Sequence, residues 1–180
     1  FAKLRFRGRE GLFSMMLGLL VIPAQVTLLP LFLMLKEMGL VNTYLGVIIP
    51  GLASVFGIFL IRQYALSIPD ELLDAARVDG ASEWRIFRSI VLPVLVPILV
   101  TLGIFTFMAT WNDFLWPLIV LSDDRHYTLP VALASLSGEH VQDVELMMAG
   151  AVVTVVPVMV LFLFLQRYYL QGILMGSVKG

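Results

Sequence analysis

Four stretches of this chain contain no Asp, Glu, Lys or Arg: 11–35, 38–61, 89–112 (resuming after Asp113 as far as Ser122) and 146–166. Each exceeds the ~20 residues that an α-helix needs to cross a hydrocarbon layer of ~30 Å. The composition agrees, with 59% hydrophobic residues, 14% charged residues and a mean hydropathy of +0.94, against about 45–50% apolar and about 25% charged in a soluble domain. The expected fold class is an all-α membrane protein with four transmembrane helices in these 180 residues. Pro23, Pro30, Pro50, Pro97, Pro117 and Pro157 fall inside the apolar stretches. Neighbouring helices can re-satisfy the carbonyls they free, so kinked helices are expected.

Threading the spans alternately through a membrane distributes the basic residues unevenly. Lys3, Arg5, Arg7, Arg9, Arg62, Arg77, Arg85, Arg88, Arg167 and Lys179 fall on one side, and only Lys36 and Arg125 on the other. The excess of positive charge marks the cytoplasmic side. Both ends of the chain and the connection between the second and third spans are therefore expected in the cytoplasm. A tight turn near Lys36–Thr43 and a longer loop, about Ser122–Glu145, are expected outside. The chain has no cysteine and two histidines, His126 and His140. Disulfides, thiol nucleophiles and an ordinary zinc site are thereby excluded, and both histidines read as surface residues of the outer loop.

Eight of the twenty-five charged residues lie between Asp70 and Arg88, in the cytoplasmic connection 67–93. Ser67, Pro69, Asp70 and Glu71 form a helix-start pattern. Leu72, Leu73, Ala75, Ala76 and Val78 supply an apolar face, and Gly80 suits a left-handed helix stop. A second short helix is expected from Ser82, with Trp84, Phe87 and Val91 on one face. Such a projection can lie on the membrane surface or dock a partner protein. Its acidic balance, Asp70, Glu71, Asp74, Asp79 and Glu83 against Arg77, Arg85 and Arg88, differs from the Lys- and Arg-rich face of a helix on anionic lipid.

Asp74-Ala75-Ala76, three residues, Gly80, nine residues, Ile90, one residue and Leu92-Pro93 resemble the EAA loop of binding-protein-dependent ABC importer permeases, Glu-Ala-Ala-x3-Gly-x9-Ile-x-Leu-Pro. Every spacing agrees, and Asp74 replaces the usual Glu. Further likeness to the carbohydrate branch, and in it to the maltose-type second permease, runs through Phe6-Arg-Gly-Arg9, Met38-Gly-Leu-Val-Asn-Thr43, Val78-Asp-Gly-Ala-Ser82, Trp111-Asn-Asp-Phe-Leu-Trp-Pro117, Gln166-Arg-Tyr-Tyr-Leu-Gln-Gly172 and Gly176-Ser-Val-Lys-Gly180.

The resemblance implies an N-terminally incomplete transmembrane domain over 1–180, with two further spans before Phe1, in a bacterial inner membrane. It also implies an ATP-driven sugar importer in which a dimer of separate ATPase subunits binds ATP and Mg. A second permease subunit and an extracytoplasmic solute-binding protein would complete the complex, with no role for nucleic acid. Asp74, Ala75, Ala76 and Gly80 would form the ATPase-docking knob. Ile90, Leu92 and Pro93 would either anchor it to the next span or take part in the contact. The tail 176–180 would be a second ATPase contact or a frayed end. The chain itself is expected to be neither an enzyme nor a cofactor carrier, because Lys3, Lys36 and Lys179 each lack the preceding glycine of a Walker A loop.

Asp113 stands in an apolar run, about two-thirds of the way along the third span. Trp111, Asn112 and Asp113 could line a sugar path or tie helices together, and Thr101, Thr106 and Gln25 are weaker candidates for the path. A secondary, ion-coupled carrier is the rival reading, with Asp113 as its ion ligand. An ATPase-docking knob has no use in such a carrier. An intramembrane serine protease is disfavoured, since Ser54 lies in a span and both histidines in the outer loop.

Overall fold

The first apolar stretch cannot run as one helix through Pro23, and it does not. In the computed structural model, which describes the backbone of residues 1–138 and 144–177 and the side chains of 1–136 and 144–164, α1 (Arg9–Gly18) passes through a 3₁₀ turn (Leu19–Val21) and stops. Ile22 is extended at φ −75°, ψ 120°, the conformation forced on a residue before proline. The stretch resumes as α2 (Ala24–Glu37), with Pro30 inside it. The second stretch opens with α3 (Tyr44–Ile48), passes through a 3₁₀ turn around Pro50 and continues as α4 (Val55–Leu66). Ser54 caps α4 by accepting from the Gly57 N–H at 3.0 Å.

Two short helices, α5 (Asp70–Val78) and α6 (Glu83–Ile86), precede a π-helical turn (Phe87–Val91) and the long α7 (Leu92–Trp111). Then come α8 (Leu115–Val120), α9 (Leu129–Gly138) and α10 (Val144–Ser177). Tyr44–Leu66, Glu83–Trp111 and Val144–Phe164 are each long and apolar enough to cross a membrane, and the broken pair of α1 and α2 makes a fourth candidate. The described residues are all-helical, as expected, and none of the Val144–Phe164 window is buried within the chain. Apolar helices bare on most sides are stable in lipid or against other helices, not in water. The Ser122–Glu145 connection is more than a solvated loop, because α9 occupies much of it and buries Val131 at 1% exposure. Pro130 sits in its first turn, where its missing N–H costs nothing. His140 lies outside the described residues.

The chain divides into two compact units, Phe1–Pro23 with Ala53–Phe105, and Ala24–Leu52 with Thr106–Gly180. In the first, Ala65, Ile68, Leu73, Ile86 and Leu95 form the core, so the ends of α4, α5, α6 and α7 share one apolar centre. In the second, Leu35, Trp116, Val120 and Leu121 do so. A turn built from Met38–Thr43 fixes that second core. Gly39, at φ +69°, ends α2: Leu40 N–H reaches back to the Leu35 carbonyl at 2.9 Å and Gly39 N–H to the Lys36 carbonyl at 3.1 Å. These two bonds define a Schellman stop.

Asn42 follows at φ +60°, the left-handed region that Asn tolerates better than other non-glycine residues. Its N–H donates to the Val120 carbonyl at 2.8 Å, and its side-chain oxygen accepts from Ser122 and Asp123 N–H at 2.9 and 3.0 Å. Thr43 then caps α3, accepting from Gly46 N–H at 3.1 Å. Gly46 sits so close to the Leu40 carbonyl and to Val120 that a Cβ would overlap the former. Trp116 belongs to the same core, and its indole N–H donates to the Gly46 carbonyl at 3.3 Å.

Asn42→Gly keeps the backbone conformation and loses two hydrogen bonds, at a cost of about 1 kcal/mol, whereas Asn42→Ala loses both features and costs about 2 kcal/mol. Melting temperatures of the detergent-solubilised protein should fall in the order wild type, Asn42→Gly, Asn42→Ala. Indistinguishable melting of all three would refute the role given to this turn.

Candidate functional site

The connection from Ser67 to Pro93 folds as a two-helix projection on the first core. Ser67 does not cap α5. It closes α4 instead, its hydroxyl donating to the Tyr64 carbonyl at 2.7 Å, and extended Pro69 stands at the α5 N-cap. The Ser-x-x-Asp spacing is misleading here because the two helices are separated by only three residues, Ser67–Pro69. Asp70 in the first turn instead accepts from Lys3 Nζ at 2.8 Å. This ammonium holds the Asp70 carboxyl below the usual carboxylate range. The pair is therefore present above the ordinary pKa of the group and is lost only as pH falls through the depressed value.

The far end of α5 explains the Ala-x3-Gly spacing. Gly80 is left-handed at φ +79°, Ala81 N–H donates to the Ala76 carbonyl and Gly80 N–H to the Arg77 carbonyl, both at 3.0 Å. Ala76 and Ala81 are packed against the core, as that Schellman stop requires of its flanking residues. Ser82 caps α6 as expected, accepting from Arg85 N–H at 3.3 Å. Arg77 spans the turn, donating to Asp74 at 2.7 Å and to Glu83 through Nε at 2.7 Å. Glu83 and then Asp74 hold the guanidinium more firmly protonated than usual.

The apolar residues of α5 do not form one buried face. Leu73 and Ala76 turn into the core. Asp74, Ala75 and Val78 point away from it, Val78 being 87% exposed. Trp84, Phe87 and Val91 do share a face, and with Phe1, Leu4 and Leu73 they line a cavity of about 450 Å³. Ile90 and Val91 pack on the core, while Leu92 and Pro93 are exposed at the start of α7. Pro93 has no N–H to give to Ser89. The preceding turn widens accordingly, with Leu92 N–H reaching the Phe87 carbonyl five residues back.

The second group of candidates, in the other unit except for Thr101, is placed differently from the expectation. Asp113 lies past the end of α7 rather than within a span, and accepts from Trp116 N–H at 3.4 Å at the start of α8. Trp111 donates its indole N–H to the Thr154 carbonyl at 3.1 Å, joining α7 to α10, and stacks on Phe107 at 5.5 Å. Asn112 donates to the Met108 carbonyl at 2.7 Å. Thr101 donates to the Pro97 carbonyl at 3.0 Å, and Gln25 and Thr106 are exposed. The tail from 178 lies outside the described residues. Asn42, Lys3, Arg62 and the bridging role of Arg77 were not singled out by the sequence. The only local signals for them were an Asn-Thr pair after a Gly stop and cations at the edges of apolar runs.

The sequence model of a family described as "Binding-protein-dependent transport system inner membrane component" matches residues 1–174. The arabinooligosaccharides transport system permease protein AraQ of Halalkalibacterium halodurans is 43% identical over 97% of this chain and 63% of its own length. The lactose transport system permease protein LacG of Rhizobium radiobacter is 36% identical over 99% of this chain and 65% of its own. Among solved structures, a chain of a bacterial ABC transporter involved in the import of the acidic polysaccharide alginate superposes with a TM-score of 0.79 at 25% identity, over 93% of this chain and 64% of that one. The chain thus spans less than two thirds of the length of each. With a family match along nearly its whole length and a shared helical fold, the chain belongs to the binding-protein-dependent transport system inner membrane components.

Proposed function

We propose that this chain is part of the permease subunit of an ATP-driven carbohydrate importer in a bacterial inner membrane, and that residues 67–93 are its coupling loop. The observation that carries the reading is the projection itself. A Gly80 stop and an Arg77 bridge hold α5 and α6 together while Asp74, Ala75 and Val78 stay bare. Small Ala75 permits close approach of a partner backbone, and the Asp74 carboxylate is pre-oriented by Arg77 for a basic partner group. The partner that fits is a separate ATPase dimer, which supplies ATP and Mg binding and hydrolysis. Ile90, Leu92 and Pro93 anchor the projection to α7 and pass its displacement into that span.

A second permease subunit and an extracytoplasmic solute-binding protein complete the assembly, and the positive-inside pattern puts both ends of this chain in the cytoplasm. AraQ and LacG, named for arabinooligosaccharide and lactose transport, support a carbohydrate substrate. Trp111, Asn112 and Asp113 border the solute path as structural ties more than as ligands, since each has a backbone partner. The ion-coupled carrier is the weaker reading, because it gives the projection of residues 67–93 no role.

Co-expression of the full-length protein with its ATPase, second permease and binding protein, followed by reconstitution, should give ATP-dependent accumulation of at least one of arabinotriose, lactose or raffinose. Uptake driven by an ion gradient without ATP would overturn the importer reading. Gly80→Leu forces a side chain into left-handed backbone at a cost of about 1 kcal/mol, and Asp74→Lys sets two cations side by side at Arg77. Both variants should insert normally in the membrane yet recover less ATPase on purification and lose uptake. Full transport by both would remove residues 74–80 from the coupling role.

A further inference from the structure

Two largely covered cations fasten residues 1–13 to the base of the projection. Lys3, with its side chain 16% exposed, donates to the Ile68 carbonyl and to Asp70 at 2.8 Å. Arg62, at 11% exposure near the end of α4, donates Nε to the Phe1 carbonyl at 3.1 Å and Nη2 to the two Glu10 carboxylate oxygens at 3.1 and 3.0 Å. The Arg62 guanidinium also lies 4.0 Å over the ring of Phe13, itself 5% exposed, which adds a cation–π contact. Phe1 lies 5.8 Å from both Phe6 and Phe13, and Ala2 packs on the core of Leu73 and Ile86.

Covered charges that lost their partners would be costly, so the geometry holds the segment as a defined strap. Its two fastenings flank the passage from α4 into α5. One ties the strap to the first residue of α5, the other ties α1 to α4. Gly8, left-handed at φ +84°, makes the turn between the strap and α1. A displacement of α5 therefore has two routes inward: along the chain into α4, and across the strap into α1. Neither route needs the exposed pairs at Arg77.

We propose that Lys3 and Arg62 are positioning residues that make α1 follow the two-helix projection, so that motion imposed on the projection moves the first span together with α4. This rests on the transport reading above.

The test uses the full-length complex in proteoliposomes, scored as sugar accumulated per ATP hydrolysed for whichever of the three sugars the wild type takes up. Arg62→Gln and Lys3→Met should assemble in wild-type yield and hydrolyse ATP, with that ratio lowered about tenfold, the size expected for coupling energies between contacting charges. Arg62→Glu with Glu10→Arg should recover most of the ratio that either reversal alone loses. The absence of cysteine from these residues allows spin labels at Ser14 and Glu71. Their distance distribution should be narrow in wild type through the ATP cycle and broad in Arg62→Gln.

An unchanged ratio in both single variants, or a distribution that Arg62→Gln does not broaden, would overturn the strap. If wild type shows no ATP-driven uptake the transport reading fails, while the label distances still decide the strap by themselves.

Discussion

In a hydrocarbon layer no water can rescue an unpaired backbone group, and this single constraint decides where the chain bends. Inside the apolar stretches Ser54 closes the break before α4, and breaks at their ends and in the connections are likewise closed by protein atoms. Gly39 and Gly80 end α2 and α5 with paired back-bonds, Thr43, Ser54 and Ser82 cap the helices that follow, and Asn42 supplies an acceptor to two N–H groups of a strand-like segment after α8. Three of the prolines are placed where this closure is cheap, whereas Pro30, Pro97 and Pro157 stand inside helices. Pro23 separates two helices, Pro50 sits in a 3₁₀ turn, and Pro93 opens a helix behind a widened turn.

The same rule applies to charge. Polar contacts are concentrated at the ends of the apolar helices, where Glu10 and Arg77 each join two partners and Lys3–Asp70 and Arg125–Asp123 stand as single pairs. Lys3 with Asp70, Arg62 with Glu10 and Arg77 with Asp74 and Glu83 all fall in the unit that holds the projection. Exposed pairs such as those at Arg77 add little to stability by themselves. Their effect is geometric, since a guanidinium with two fixed partners holds two short helices in one orientation. The cations at Lys3 and Arg62 are largely covered while their partners Asp70 and Glu10 are exposed, so a cation that loses its partner is the costly event, and these two contacts define where the projection is attached.

What could be read from the sequence was what local chemistry determines. The apolar runs, the Gly80 stop and the Ser82 cap depend on residues within a turn or two, and the structure has them as expected. Ser67 does not cap α5 because the end of α4 takes its hydroxyl, and Asp113, placed within the third span by its sequence neighbours, stands between α7 and α8, where it accepts from the Trp116 N–H. The split of α5 into Leu73 and Ala76 on one face and Ala75 and Val78 on the other could not be seen from hydrophobicity alone, because all four are apolar. The fastenings that matter most lie 67 residues apart for Lys3 and Asp70 and 80 apart for Asn42 and Ser122, beyond the reach of any spacing rule.

That split face of α5 bears on why the projection has the residues it has. Ala76 and Gly80 are determined by folding, through the packing of Ala76 against the first core and the left-handed backbone at Gly80. Ala75 and Val78 are not, since no described residue covers their outer side and a polar residue there would serve the helix equally well. A small residue and a β-branched one kept bare beside a pre-oriented carboxylate cost solubility without adding stability. Within one motif, then, some positions answer to the fold and others only to what covers it, and the proposed ATPase contact rests on the second set.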